Sequence, residues 1–358
     1  MRWIDFTGLL ISVIVFSGCF DTGNSATTVK PSAMGRLNEI VVVADEDLWE
    51  GPLQDTFLFY FESAYPIMPA PEPLFDVRHF TFDDLVAEPL RKELRTYVFL
   101  ADISDANSRT TNVIRGDIGD DRFLKAQKGE ITTAAGKDKW ARGQLIVFLM
   151  GNGEEQLAES IRKNFPSIAR KVNDHDQGIL EARVFAARDN PGLSRKIAQE
   201  YGIRINIPAR FQVALDNPDE NIIWLRKDDK ESILNMVIRK FNYTNSNQLT
   251  AEYLKKIRDD YGIDYVSTTE PGSFMLINDR DLPMYDYSYE INGLYTKEIR
   301  GIWEISNDFM GGPFASYLIL DKDRNQLIFI DTFVYAPGKN KRDMMQQLEF
   351  IVKSANPA

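Results

Sequence analysis

The second half of the chain places strand-like segments one after another, with only two helical segments among them. Neighbouring strands that follow each other without a helical crossover pair antiparallel. The helical segments, 250–261 and 340–354, are expected to cover the sheet, and Gly262 is expected to end the first of them. Strands are predicted at 211–215, 221–226, 232–241, 273–278, 286–291, 295–305, 314–320 and 326–335.

The first half instead alternates strands and helices, which predicts a mixed α/β domain. Buried strands are indicated at Ile40–Val43 and 144–150 by runs of β-branched and large apolar residues. A helix is predicted to start at Gly51-Pro52. Further strands are expected at 74–80 and 95–103, followed by a polar segment at 104–120.

A length of 358 residues favours two domains, and together the two patterns predict an α+β protein. The helical connection between the domains is expected to break at Asn190-Pro191-Gly192. The predicted order is a lipoprotein signal peptide (1–18), a flexible tether (19–35), the mixed α/β domain (36–175), the helical connection (176–204) and an antiparallel α+β domain (205–358).

The single cysteine, Cys19, follows a pattern typical of export. Arg2 provides a positive start, residues 9–16 are apolar, and the small residues Ser17 and Gly18 precede the cysteine. This resembles the lipobox of bacterial lipoproteins, in which the cysteine thiol is acylated after cleavage, so Cys19 is the predicted lipid-attachment residue. The alternative is an accidental cysteine in an uncleaved anchor, although the apolar stretch is short for a membrane-spanning helix.

The formal net charge of −11 limits the partners of the protein. Such a field repels nucleic-acid phosphates, so we predict no nucleic-acid partner, although a local basic patch would escape this argument. Adsorption to anionic lipid is also disfavoured, and membrane contact therefore requires a specific anchor. The expected membrane partner is lipid, reached through acylated Cys19.

Five short motifs of the chain are distinctive, and they lie at residues 35–39, 221–226, 299–304, 307–314 and 333–339. Together they resemble an uncharacterised lipoprotein family of Bacteroidota, domain-of-unknown-function family 4837. The resemblance covers nearly all of the mature chain and implies an envelope lipoprotein, without implying an activity. The strand and helix order after residue 205 is also similar to the sandwich of PsbP-type photosystem subunits, as a fold analogy.

Two glycine loops approach nucleotide signatures without completing them. Gly151-Asn152-Gly153 lacks a third glycine, and Glu154 and Glu155 would stand where a pyrophosphate belongs. In the segment from Gly129 to Gly136-Lys137 six residues separate the glycines, whereas a phosphate loop requires four. We interpret the first as a tight turn and reject the second.

Candidate metal and acid/base residues have simpler structural explanations. Asp321, Asp323 and Asn325 have calcium-loop spacing but lack the turn glycine and the final glutamate, so a hairpin turn is expected. His79 and His175 are far apart in sequence, and Asp174-His175-Asp176 is expected to form a polar interhelical turn. We therefore predict no catalytic, cofactor-binding or metal-binding residues and no cofactor.

Two features remain open to a functional interpretation. Asp45-Glu46-Asp47 follows a strand, where catalytic carboxylates often lie, but a solvated loop before a helix is favoured. Phe309 and Met310 lie between two strands, and we expect them to tuck beneath the sheet edge rather than contact a partner. The predicted function is that of a non-enzymatic, lipid-anchored envelope protein that binds or scaffolds other envelope proteins or glycans. Its expected location is the outer membrane, facing the periplasm. The alternative is a protein that binds or processes glycans.

Overall fold

The structure, a computed structural model, describes residues 30–358. The predicted signal peptide, Cys19 and the tether up to residue 29 lie outside the described residues. No helix within residues 30–358 is both long and apolar enough to cross a membrane.

The first domain is a five-stranded sheet with helices on both faces. Its strands are β1 (Glu39–Val43), β2 (Asp76–Phe80), β3 (Thr96–Asp102), β4 (Thr133–Lys137) and β5 (Leu145–Gly151). Its helices are α1 (Glu46–Trp49), α2 (Pro52–Phe61), α3 (Phe82–Ala87), α4 (Arg109–Ile118), α5 (Asp120–Gln127) and α6 (Glu154–Val184). The strand order is β2-β1-β3-β5-β4, and every pair is parallel except β4–β5.

Burial on both faces of this sheet explains the continuous apolar runs of its central strands. Ile40 and Val42 join a core with α2 and α6, whereas Val41 and Val43 join a core with α4 and α5. The segment expected only as a polar stretch contains α4, which Ser108 caps by accepting a hydrogen bond from the Thr111 amide (2.9 Å).

The prediction of a polar interhelical turn at Asp174-His175-Asp176 is wrong, because these residues lie inside the 31-residue helix α6. Val172, Asp176, Leu180 and Val184 recur every four residues and are all buried. The Asp176 carboxylate is matched there by the Asn38 amide at 2.9 Å and by Arg95 at 3.5 Å. The domain boundary predicted at residue 175 falls within this helix.

The second domain is an antiparallel sheet covered by helices on both faces, as its strand pattern predicts. Its strands are β6 (Ile203–Arg204), β7 (Gln212–Asn217), β8 (Ile222–Asp229), β9 (Ser232–Asn242), β10 (Met275–Asn278), β11 (Tyr285–Ile291), β12 (Leu294–Ile305), β13 (Gly311–Asp321), β14 (Gln326–Tyr335) and β15 (Asn356–Pro357). Its helices are α7 (Pro191–Tyr201), α8 (Ala251–Tyr265) and α9 (Arg342–Lys353). The strand order is β10-β12-β13-β14-β9-β8-β7, with β11 also paired to β12, while β6 and β15 form a separate pair. The helix α8 covers one face, and α7, α9 and the end of α6 cover the other.

Two predicted helix boundaries in this domain, the break at Asn190-Pro191-Gly192 and the helix end at Gly262, have different outcomes. The expected break is confirmed, since Asn190 caps α7 by accepting from the Leu193 amide (3.1 Å) and Pro191 opens the helix. Gly262 does not end α8. A Cβ at Gly262 would lie 2.4 Å from the Met275 carbonyl oxygen, so the glycine instead lets β10 approach the helix.

The connection between β12 and β13 is an exposed hairpin tip. Asn307 has a φ of 63°, and the Ile305 amide donates to the Met310 carbonyl at 2.9 Å. Met310 packs against the core beneath α8, but Phe309 is fully exposed. The prediction that Phe309 tucks beneath the sheet is therefore wrong.

Candidate functional site

The carboxyl ends of β1, β3 and β5 meet where ligands bind in many parallel sheets. In this protein the polar side chains at the carboxyl ends of these strands form hydrogen bonds with one another. Asp45 accepts hydrogen bonds from Ser108 and from the Thr110 hydroxyl (2.7 Å), and Asp102 accepts from the Ser104 hydroxyl (2.6 Å). Burial alone would raise the pKa of Asp102, but the hydrogen bonds from Ser104 and Gly153 outweigh it and lower the pKa. The two carboxylates thus organise the loops after their strands.

The Gly151-Asn152-Gly153 loop is a tight turn between β5 and α6, as predicted. The Gly153 amide, which a nucleotide loop would offer to phosphate, donates to Asp102 at 2.8 Å. A Cβ at Gly151 would lie 2.2 Å from the Leu157 amide nitrogen, so this glycine serves close helix packing. Glu46 and Asp47 are exposed in the first turn of α1.

The remaining predicted candidates do not converge. His79 stacks on Trp49 with ring centroids 4.8 Å apart, whereas His175 lies on α6. Asp321 contacts Arg324 at 2.8 Å in the β13–β14 hairpin turn. Across residues 30–358, no three His, Cys, Asp or Glu side chains are placed so that they could hold a metal ion.

An open groove of about 690 Å³ lies beside β11, and its walls include aromatic and charged side chains. Residues alternate along a strand, so Tyr285, Tyr287 and Tyr289 share one face of β11. We call the cavity the tyrosine groove, and its walls include Pro66, Tyr287, Tyr289, Glu298, Arg300 and Lys353. Tyr287 remains 43% exposed, which leaves its ring available to a ligand.

The floor of the tyrosine groove includes Glu298 and Arg300, which belong to a buried ion cluster. Arg300 pairs with Glu298 on the same strand and with Glu349 on α9, the latter at 2.7 Å. Burial alone would lower the pKa of Arg300, but the two carboxylates raise it, so the guanidinium is charged. Glu298 and Glu349 are both buried. Their charge-assisted hydrogen bonds to Arg300 therefore fix the positions of the two carboxylates.

Tyrosine hydroxyls complete this ion cluster. Tyr289 donates to Glu298, and Tyr65 from the first domain donates to Glu349 at 3.2 Å. Burial, followed by the neighbouring glutamates, raises the pKa of both phenols, which keeps them as donors. The Tyr317 hydroxyl beneath them is buried without a hydrogen-bond partner in the described structure.

Contacts between the two domains position this floor. The Glu72 carboxylate accepts from the Lys341 amide (2.6 Å) and the Arg342 amide (2.8 Å), so it caps the start of α9. The Asn38 side chain donates to Gln346 at 2.8 Å. Because α9 carries Glu349, the first domain helps to set the geometry of the groove.

The tyrosine groove was not predicted from the sequence, although the sequence contains one signal of it. Tyr285, Tyr287 and Tyr289 alternate with polar residues, and Glu298 and Arg300 have the same two-residue spacing. Such patterns place each set on one face of a strand. Nothing in the sequence pairs these strands with Glu349 or Tyr65, which are distant along the chain.

The architecture is that of an α+β protein in which a three-layer α/β domain adjoins an antiparallel sheet, with an open groove that includes residues from both. Residues 190–354 match the family model DUF4837, a domain of unknown function. Residues 33–185 match a different model, DUF8532, also a domain of unknown function. The predicted resemblance to domain-of-unknown-function family 4837 is therefore confirmed for residues 190–354, whereas residues 33–185 match a separate model.

No curated protein matches the chain. Solved structures that resemble part of it include the Ran-binding protein Mog1p of Saccharomyces cerevisiae, with 10% identity, 44% of this chain and 90% of that chain covered, and a TM-score of 0.29. LpqN, described as involved in cell envelope biogenesis of Mycobacterium tuberculosis, has 8% identity, 43% and 82% coverage, and a TM-score of 0.27. These scores are too low to support an argument about fold or function.

Proposed function

We propose that this protein is an envelope lipoprotein, anchored through Cys19, that binds another envelope component non-covalently in the tyrosine groove. The observation that best supports binding in this groove is that exposed Tyr287 lies beside the Glu298–Arg300 ion pair in one open cavity. The export pattern before Cys19 supports the anchor, and the family motifs support an origin in Bacteroidota and a place on the outer membrane facing the periplasm. We also propose that the second domain has a fold of the PsbP type.

A glycan is the ligand class that best fits this groove. Tyrosine rings offer an apolar face to sugar C–H groups. The tyrosine hydroxyls and the nearby charged groups can form hydrogen bonds with sugar hydroxyls. Glu298 and Glu349 share one arginine, which favours their use as fixed hydrogen-bond acceptors rather than as an acid/base pair. Binding is therefore preferred to glycan processing.

Titration calorimetry of the mature protein with soluble cell-wall and storage oligosaccharides tests this proposal. Tyr287→Ala should weaken binding about tenfold, because it removes one aromatic platform. Tyr285→Ala is the matched control, since Tyr285 lies on the same strand face with 45% exposure but outside the groove walls. Equal losses in the two variants, or no binding of any oligosaccharide, would contradict the glycan proposal.

The anchor has a separate test. Cys19→Ser should abolish incorporation of labelled fatty acid and move the protein from the membrane fraction to the soluble fraction, because acyl chains supply the attachment. Ser17→Thr, which leaves the cysteine in place, controls for general effects on export. Membrane retention of an unlabelled Cys19→Ser protein would show that another feature anchors the chain.

A second candidate, protein scaffolding, is favoured by one observation. Phe309 is fully exposed at the tip of the β12–β13 hairpin, where a large aromatic side chain gains nothing from the core. Such residues serve as anchors in protein interfaces. Crosslinking in intact cells from position 309, compared with position 287, distinguishes a protein partner at the tip from a ligand in the groove.

A further inference from the structure

A second cavity, of about 330 Å³, lies between β4 and α6 on the first domain. Lys137 from β4 and Lys171 and His175 from α6 line it, with Asp174 also in its wall. We call it the basic pocket. Its volume is at the lower end of the range for small-molecule sites, so it suits a compact ligand.

The lysines of the basic pocket are not neutralised by the protein. Neither Lys137 nor Lys171 makes an ion pair within residues 30–358, whereas the nearby Arg95 pairs with Asp176. Both side chains are exposed, and their ammonium groups are free to contact a ligand. In a protein with a net charge of −11, two unpaired cations at one cavity indicate a site for an anion.

One buried, unpaired atom in the wall of the pocket and a second one beside it support the same inference. His175 Nε2 and Arg95 Nε are buried and have no hydrogen-bond partner in the described structure. Arg95 is adjacent, since its guanidinium donates to the His175 carbonyl at 3.0 Å. Buried polar atoms without partners in the protein are rare, so His175 Nε2 in the pocket wall is available to a polar ligand.

The charged groups around His175 come from three elements. Arg95 precedes β3, Lys137 and Asp138 lie at the end of β4, and Asp174 and Asp176 lie on α6 with the histidine. Burial, aided by Arg95 and Lys137, lowers the pKa of His175 to about 4. A bound anion would oppose these cations, and His175 therefore reports occupancy of the pocket.

We propose that the basic pocket binds the phosphate group of a small phosphorylated molecule, with Lys137 and Lys171 as its direct contacts. Phosphate oxygens accept hydrogen bonds from several donors at once, which suits two ammonium groups on opposite walls. The site is separate from the tyrosine groove, so the proposal stands independently of the glycan ligand.

The two histidines of the chain allow a direct NMR test on the full mature protein. Inorganic phosphate and glycerol 3-phosphate are titrated at constant ionic strength, with sodium chloride as the reference. Either phosphate compound should raise the pKa of His175 by about one pH unit, as expected for a nearby anion. His79 lies on β2, at the edge of the first sheet opposite β4. It is therefore the internal control, and its pKa should not respond.

Variants separate a specific site from general attraction. Lys171→Gln should weaken phosphate binding about fivefold or more, whereas Asp174→Asn should strengthen it because a repelling carboxylate is removed. Lys163→Gln removes one exposed charge from the same helix outside the pocket and is the matched control. Tighter binding of glycerol 3-phosphate than of inorganic phosphate would support an organic phosphate as the ligand. Equal responses of His79 and His175, or equal losses in Lys163→Gln and Lys171→Gln, would overturn the proposal.

Discussion

Phe309 and Phe314 lie five positions apart and have opposite environments. Phe309 is fully exposed at the hairpin tip, whereas Phe314 on β13 is 1% exposed and packs beneath α8. Arg258 also lies over the Phe314 ring, 3.9 Å from its centre. The energetic consequences of removing the two rings should therefore differ widely.

We expect Phe309→Ala to leave the melting temperature unchanged, because no core contact is lost. Phe314→Ala should cost about 3–5 kcal/mol, which corresponds to a decrease of about 10 °C. Differential scanning calorimetry of the mature protein measures both. A decrease of several degrees in Phe309→Ala would show that the tip packs against the protein in solution.

At the scale of elements, a buried ion cluster joins α8 to the second sheet. Arg258 and Asp331 are both fully buried, and the arginine Nε lies 3.1 Å from the carboxylate. Tyr261 and Ser316 also donate to Asp331. Burial, followed by the Asp331 charge, raises the pKa of Tyr261, which keeps its hydroxyl a donor. The carboxylate is thus fully matched, but the arginine Nη1 has no partner among the described residues.

Removing one member of this pair should be more harmful than removing both. Asp331→Ala should cost about 3–5 kcal/mol in urea unfolding, because Arg258 would stay buried without its counter-charge. The double variant Arg258→Met/Asp331→Leu should recover much of that loss. Asp260→Ala, in an exposed pair with Lys256 on the same helix, should have no measurable effect. A double variant less stable than Asp331→Ala would show that the pair stabilises the fold in its own right.

For the whole molecule, the end of α6 connects the domains through the core of the second sheet. Leu180 and Val184 belong to the hydrophobic cluster that contains Leu348 and Ile351 of α9. The DUF4837 match begins only at residue 190, so a fragment cut there lacks these side chains. The structural unit of the second domain is therefore larger than the segment that the family model matches.

A comparison of fragments 176–358 and 190–358 tests this organisation. The longer fragment should melt several degrees higher, because burial of a Leu or Val side chain contributes about 1.5–3 kcal/mol. Leu180→Ala/Val184→Ala in the longer fragment should remove most of the difference, which separates side-chain burial from fragment length. Equal melting temperatures for the two wild-type fragments would contradict the assignment.

Local patterns in the sequence were sufficient to determine the class of fold. β-Branched runs such as Ile40–Val43 identified buried strands, and Asn190-Pro191-Gly192 identified a break between two helices, because each signal depends on neighbouring residues. The change from alternating elements to successive strands identified a mixed first domain and an antiparallel second one. These properties are encoded at the scale of a few turns or strand residues.

Only the tertiary structure decided where helices continue and where side chains meet. Asp176 looked like a solvent residue, but Asn38 and Arg95 make its burial in α6 possible, and Gly262 was a packing site rather than a helix end. The tyrosine groove likewise needs Glu349 and Tyr65 beside β12. Such contacts join residues far apart along the chain, and their energies depend on the three-dimensional environment, which no local pattern contains.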